Sequence, residues 1–123
     1  MSDKPVRIPG PDHPITIEAN PSMVSVTLDG QVIAQTSNAL TLREANYPPV
    51  QYIPLADINA DILSPSSKTT YCPYKGTASY FSINTPAQNL PDVIWSYREP
   101  YDAVAAIKDY CAFYPDRVSI KQE

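Results

Sequence analysis

The sequence predicts one small, mainly β domain of antiparallel strands carrying two short helices. Apolar and polar residues alternate through runs such as Val24-Ser25-Val26-Thr27-Leu28, the period-two pattern of a half-buried strand. Fourteen prolines and an Asp29-Gly30 pair punctuate these runs, where a ladder must stop or turn. No regular strand–helix alternation calls for a parallel sheet.

Taken in order, residues 1–14 hold four prolines and one glycine. These remove backbone donors and block regular helix, so an extended arm is expected, placed to cover a sheet edge. Residues 15–123 are then the single domain, a length at which one core commonly forms. Val24, Val26 and Leu28 lead into Asp29-Gly30, and Val32 and Ala34 resume the alternation beyond it. Asp-Gly takes the positive φ angles of a type I′ turn, so this stretch predicts a hairpin.

SNALTLRE predicts a further strand, with Leu40 and Leu42 on one face and Thr41 and Arg43 on the other. Pro48-Pro49 interrupts the ladder, and VQYI follows as a short strand closed by Pro54. In LADINADIL, Leu55, Ile58 and Ile62 fit one helical face, predicting a short helix ended by Ser64-Pro65-Ser66. TTYC and GTASYFSI read as strands, with Gly76 between them as a bulge or a point of close backbone approach. NTPAQNLPD reads as loop and VIWSY as a strand.

DAVAAIKDYCAFY sets Val104, Ile107, Tyr110, Cys111 and Tyr114 at helical spacing, predicting a second short helix capped by Asp102. Pro115-Asp116 turns the chain into RVSIK, a closing strand. The total is about seven short strands in antiparallel order.

Composition narrows function. Nine basic against thirteen acidic side chains give a formal net charge of −4, and no stretch concentrates cations on one face, so no nucleic-acid partner is expected. No apolar run is long enough to span a bilayer and MSDKPVRIPGPDHP lacks a signal-peptide core, so no membrane partner and a cytoplasmic location are expected. Cys72 and Cys111 stand 39 residues apart and read as free buried thiols. With His13 the only histidine, no metal site and no cofactor are expected.

Lys75 lies between Tyr74 and Gly76. An ammonium there can face an aromatic surface while the glycine lets a ligand approach the backbone, so the position suits an acid or phosphate; a solvated lysine at a strand start is the bland reading. Glu44 shares the parity of Leu40 and Leu42, so it is predicted to face inward and to need a cationic partner, for which Lys75 is the candidate. Tyr47, Tyr52, Tyr80, Trp95 and Tyr97 supply aromatic surface for stacking an organic ligand, or an ordinary β core with phenols at its rim. Cys72 has no histidine near it in sequence to activate it. Asp57 and Asp61, at i and i+4 on one face of the predicted helix, offer a pair of carboxylates to a cation, with helix solubility and N-terminal dipole complementation as the favoured reading.

The stretches GQVIAQTSNALTLREANYPPVQYIPLADI, CPYKGTASYFSI and WSYREPYDAVAAIKDYCAFYPDRVSI resemble, in order and over nearly the whole chain, the domain of unknown function 427 family. Arg43-Glu44, Tyr52, Asp57, Lys75-Gly76, Trp95 and Tyr97 match its motif positions. The resemblance implies a β-tent, or Mss4-like, fold with antiparallel sheets meeting around a cleft. Paired zinc-binding cysteine motifs found in some β-tent proteins are not matched here, because Cys72 and Cys111 are isolated.

The leading expectation is a small-molecule binding domain whose cleft is lined by Glu44, Tyr52, Lys75, Tyr80, Trp95 and Tyr97, with Arg43 nearby and Lys75 holding an anionic group. An enzyme using Glu44 as general acid or base and Lys75 as electrostatic stabiliser is the alternative. The nucleotidyltransferase-like label attached to the family stands as its distant form, since the chain has no Asp-x-Asp after a glycine-serine turn and no Gly-rich phosphate loop. An interaction module, with a homodimer as one partner state, is the third.

Overall fold

The computed structural model describes residues 4–123. They form β1 (Ile15–Asn20), β2 (Val24–Leu28), β3 (Gln31–Thr36), β4 (Ala39–Glu44), β5 (Val50–Pro54), β6 (Leu63–Cys72), β7 (Gly76–Asn84), β8 (Asn89–Tyr97), β9 (Tyr110–Phe113) and β10 (Ser119–Gln122). One sheet runs β1-β4-β5-β9-β8-β7-β6 and a smaller one β10-β2-β3. Every pairing between these strands is antiparallel. The fold is mainly β, as the alternation predicts, with ten strands where about seven were expected.

Local chemistry explains the clearest turns. Asp29 and Gly30 take φ of 52° and 79°, the left-handed pair that a two-residue hairpin demands. Gly76 has φ of 107°, and a Cβ there would stand 3.4 Å from the Glu99 carbonyl oxygen. The close approach of backbone expected at this glycine is therefore present, and it packs the β6–β7 turn against the segment after β8.

The large sheet has two unlike faces. Directly opposed residues share a face, so the register groups Ile53 with Cys111, and Ile94 with both Phe113 and Phe81, on one side. These join Val24, Val26, Ile33 and Ile83 in a core between the two sheets. On the other side stand Leu42, Tyr52, Ala78, Tyr80, Tyr97 and Ala112, packed against Val104 and Ile107 of the 3₁₀ segment Asp102–Ile107.

The two short helices expected are present in both places as 3₁₀ turns, shorter than the spacing predicts. Within LADINADIL the turns are Leu55–Asp57 and Ala60–Ile62. Between them Ile58 pairs with Ala34, and the Asn59 N–H donates to the Ile33 carbonyl at 2.8 Å. Capture of that backbone by β3 prevents a continuous helix, since its donors are used elsewhere. Ser64-Pro65-Ser66 is not a terminator but the start of β6. Asp57 consequently has no helix face to solubilise and accepts a hydrogen bond from the Thr36 hydroxyl at 2.7 Å.

The second helix ends at Ile107, and Tyr110–Phe113 is strand β9. Asp109 takes φ of 61° and redirects the chain, after which β9 fills the position between β5 and β8. A helix there would leave the facing edges of both strands unpaired, so the ladder prevails over helical spacing. Tyr101, not Asp102, occupies the cap position, with no side-chain cap bond. Asn89 to Pro91, expected in a loop, already belong to β8.

Candidate functional site

The register places most of the expected site on the tyrosine-rich face. Leu40 opposes Tyr52 and Leu42 opposes Val50, so Tyr52 lies on the face that Glu44 shares by parity. Tyr80 opposes Trp95 and Ala78 opposes Tyr97, which puts both tyrosines and Trp95 together on β7 and β8. Arg43 has the opposite parity and is exposed. It therefore turns away from Glu44 and the aromatic residues.

Four strand-to-strand steps separate β4 from β7, which in a flat sheet is about 19 Å at the usual spacing. Yet the Lys75 ammonium, in the turn before β7, hydrogen-bonds to Glu44 Oε1. The sheet must therefore curl toward this face, and the ion pair clasps its two sides. The turn is fixed by backbone bonds: the Lys75 N–H donates to the Cys72 carbonyl at 3.3 Å, and its own carbonyl accepts the Tyr101 N–H at 3.1 Å.

The other carboxylate oxygen belongs to the arm. His13 Nε2 lies 2.7 Å from Glu44 Oε2, and the imidazole stacks on Tyr74 with centroids 4.0 Å apart and planes 6° off parallel. Further along, the Arg7 N–H donates to the Pro73 carbonyl at 2.9 Å and the Tyr71 hydroxyl to the Pro5 carbonyl at 2.6 Å. The side chains of Lys75, Glu44 and His13 are 12%, 13% and 23% exposed, so this is a shielded ion pair rather than a surface one. Burial raises the Glu44 carboxyl pKa, but hydrogen bonds from Lys75 and His13 outweigh it and hold the group below its ordinary value. Glu44 is consequently an anion with both oxygens engaged.

Beside the clasp lie neutral phenols. Burial pushes Tyr52 and Tyr97 well above the ordinary tyrosine value. Trp95 Nε1–H donates to the Tyr52 hydroxyl at 3.1 Å, so the Tyr52 proton stays available. The Tyr97 hydroxyl has no hydrogen-bond partner among the described residues, and it is not sealed from solvent. Lys75 Nζ stands 6.0 Å from the Tyr97 ring centroid, at the outer limit of a cation–π contact. Tyr80 shares a 2.9 Å hydrogen bond with Thr70 and lies under Lys68. Trp95 also packs on Tyr114 at 4.6 Å. Next to Trp95 opens a cavity of about 490 Å³ bordered by Val50, Gln51, Phe113 and Ile120, within the size range of small-molecule pockets. Neither Glu44 nor Lys75 lines it.

The chain matches the domain of unknown function (DUF427) family over residues 16–123. It belongs to that family. No curated protein matches it. The family's matched segment holds Glu44, Tyr52, Lys75, Tyr80, Trp95 and Tyr97, but begins after His13. In this member, therefore, one hydrogen bond to the clasp carboxylate comes from outside the matched segment.

The structure brings Glu44 and Lys75 into contact, groups Tyr52, Trp95, Tyr80 and Tyr97 beside them, and leaves Arg43 outside. Tyr47 is exposed in the β4–β5 turn. His13, Tyr74 and Thr70 were not foreseen as site residues. For His13 a signal existed: it is the chain's only histidine, in an arm expected to cover an edge. Cys72 is a free, half-buried thiol, and the one histidine is hydrogen-bonded to Glu44 instead. Cys111 is buried in the core between the sheets. Among the described residues no group of three His, Cys, Asp or Glu side chains is placed to hold a metal ion, and no helix is long and apolar enough to cross a membrane.

Proposed function

We propose that this domain binds a small organic anion, its acceptor atoms held by Lys75, Tyr97 and Tyr52 and its apolar part held against Tyr80 and Trp95. The observation that carries this reading is a convergence of unused donors. The lysine keeps N–H groups beyond the one given to Glu44, and two neutral phenols nearby retain protons. Glu44 acts as the fixed counter-charge that keeps the ammonium in place in a shielded setting. Entry runs past His13, the most exposed member of the clasp.

Binding is favoured over acid–base catalysis by the state of Glu44. A general acid needs a raised carboxyl pKa, and a base is most effective with a pKa near the operating pH. Glu44 is held low with both oxygens engaged. The same engagement disfavours nucleotidyl transfer, which would require carboxylates free to hold metal ions. Of the exposed apolar residues, Val6 and Ile8 share the arm, while Val32, Tyr47 and Leu55 stand on three other segments, a scatter that favours a ligand over a docked protein or second copy.

Thermal-shift screening against a broad set of metabolites tests the reading, with Lys75→Ala screened in parallel. An anionic compound is expected to raise Tm of the wild type and not of the variant, and to be recovered chemically unchanged. An inert wild type, or equal shifts in both proteins, would count against binding at Lys75. Conversion of the compound would favour the enzyme reading.

A further inference from the structure

A second, larger cavity of about 630 Å³ lies away from the clasp, lined among others by Pro54, Leu55, Phe81, Ser96, Arg98 and Lys108. Ser96 and Phe81 have the opposite parity along their strands to Trp95 and Tyr80, so this opening belongs to the other face of the large sheet. Among the described residues Arg98 and Lys108 form no ion pair, the carboxylate pairs being those of Glu44 with His13 and Lys75. In a chain of net charge −4, two unpaired cations bordering one cavity form a local field opposite to that of the whole molecule.

The walls suit the body of such a ligand. Pro54, Leu55 and Phe81 are apolar. The Ser96 residue is 3% exposed and its hydroxyl makes no hydrogen bond among the described residues, yet it is not sealed off; the hydroxyl therefore opens on the cavity that Ser96 lines. Cys111 in the wall brings no charge, because burial first and Asp109 second push its thiol up to about 12 against the opposing pull of Arg98. Asp109 is the acidic residue at the rim, and it lies beyond ion-pair distance of both cations. Its backbone fixes that rim, donating to the Tyr97 carbonyl and accepting from the Leu55 N–H, each at 3.3 Å.

We infer that this cavity is a binding site for a second small organic anion, a carboxylate or phosphate with an apolar body, whose charged group is held by Arg98 and Lys108 and whose body lies on Pro54, Leu55 and Phe81 beside the Ser96 hydroxyl. Arg98 supplies a planar fork and Lys108 a point charge, a combination that accepts either anion.

Amide NMR titration of the full chain with phenyl phosphate, with 3-phenylpropionate and with neutral benzyl alcohol tests the site and separates the two anion classes. At least one anion is expected to shift the amides of Ser96, Arg98 and Lys108 saturably, and to bind more tightly than the alcohol. Arg98→Gln and Lys108→Gln are each expected to weaken it about tenfold, the scale of one charge-assisted hydrogen bond, while Tm without ligand stays that of the wild type. Four results would overturn the site: no saturable shift, equal binding of benzyl alcohol, full binding by the double variant, or shifts confined to Lys75 and Gly76. The last would leave the clasp reading standing, so the two proposals fail separately.

Discussion

The two faces of the large sheet pack with different chemistry. Toward the small sheet, Val24, Val26, Ile83 and Ile94 are fully buried among other aliphatic side chains. Toward the 3₁₀ segment Asp102–Ile107, the corresponding positions hold Tyr52, Tyr80 and Tyr97, with Glu44 and Lys75 at one end. Aliphatic packing needs only volume and shape. A face with phenols, an ammonium and a carboxylate must satisfy its polar groups as well, and among the described residues it leaves the Tyr97 hydroxyl without a hydrogen-bond partner and not sealed from solvent. The contrast separates a face packed by aliphatic shape alone from one that also carries a shielded ion pair and phenol hydroxyls.

Mutations on the two faces should break that contrast in different ways. The largest loss is expected from Ile94→Ala on the aliphatic face, about 3–4 kcal/mol from lost burial and the cavity left behind, read from denaturant unfolding. Lys75→Met on the other face should cost about 2–3 kcal/mol, because it strands a shielded carboxylate. Adding Glu44→Gln to Lys75→Met should recover part of that loss, and a double-mutant cycle measures the coupling. Additive effects would mean that Glu44 and Lys75 are not energetically coupled.

Smaller effects sharpen the same comparison. Trp95→Phe keeps an aromatic ring but removes the donor to Tyr52, with an expected cost of about 1 kcal/mol. Tyr97→Phe removes only a hydroxyl that has no hydrogen-bond partner among the described residues, so stability should change by less than about 0.5 kcal/mol. Chemical denaturation of both variants checks these values. A large loss in Tyr97→Phe would show that its hydroxyl is committed to the fold.

Much of this architecture was readable because its causes are local. Asp29-Gly30 forces a particular turn, and the parity of Leu40, Leu42 and Glu44 assigns the carboxylate to one face without reference to the rest of the chain. Pairing Glu44 with Lys75 needed only the requirement that a shielded charge find a partner. The same parity puts Arg43 on the opposite face from Glu44.

Other features depend on which strands become neighbours. The spacing of Val104, Ile107, Tyr110, Cys111 and Tyr114 fits a helix, but β9 is captured between β5 and β8. The middle of LADINADIL is likewise taken by β3. His13 reaches Glu44 across 31 residues from an arm with no periodic pattern. Its role emerges only when the sheet curls and the arm crosses the β6–β7 turn.

The most direct test of the clasp is the titration of the Glu44 carboxyl, followed by its side-chain carbon resonance in the wild type and in Lys75→Met. A lowered native pKa means that the unfolded chain takes up this proton first as pH falls, so the stabilisation is complete above the unfolded value and disappears as pH drops through the folded one. A wild-type midpoint below the ordinary 4.5 is expected, with a higher midpoint in Lys75→Met and loss of the clasp's stabilisation as pH falls through the native midpoint. A wild-type midpoint at or above 4.5, unmoved by Lys75→Met, would contradict it.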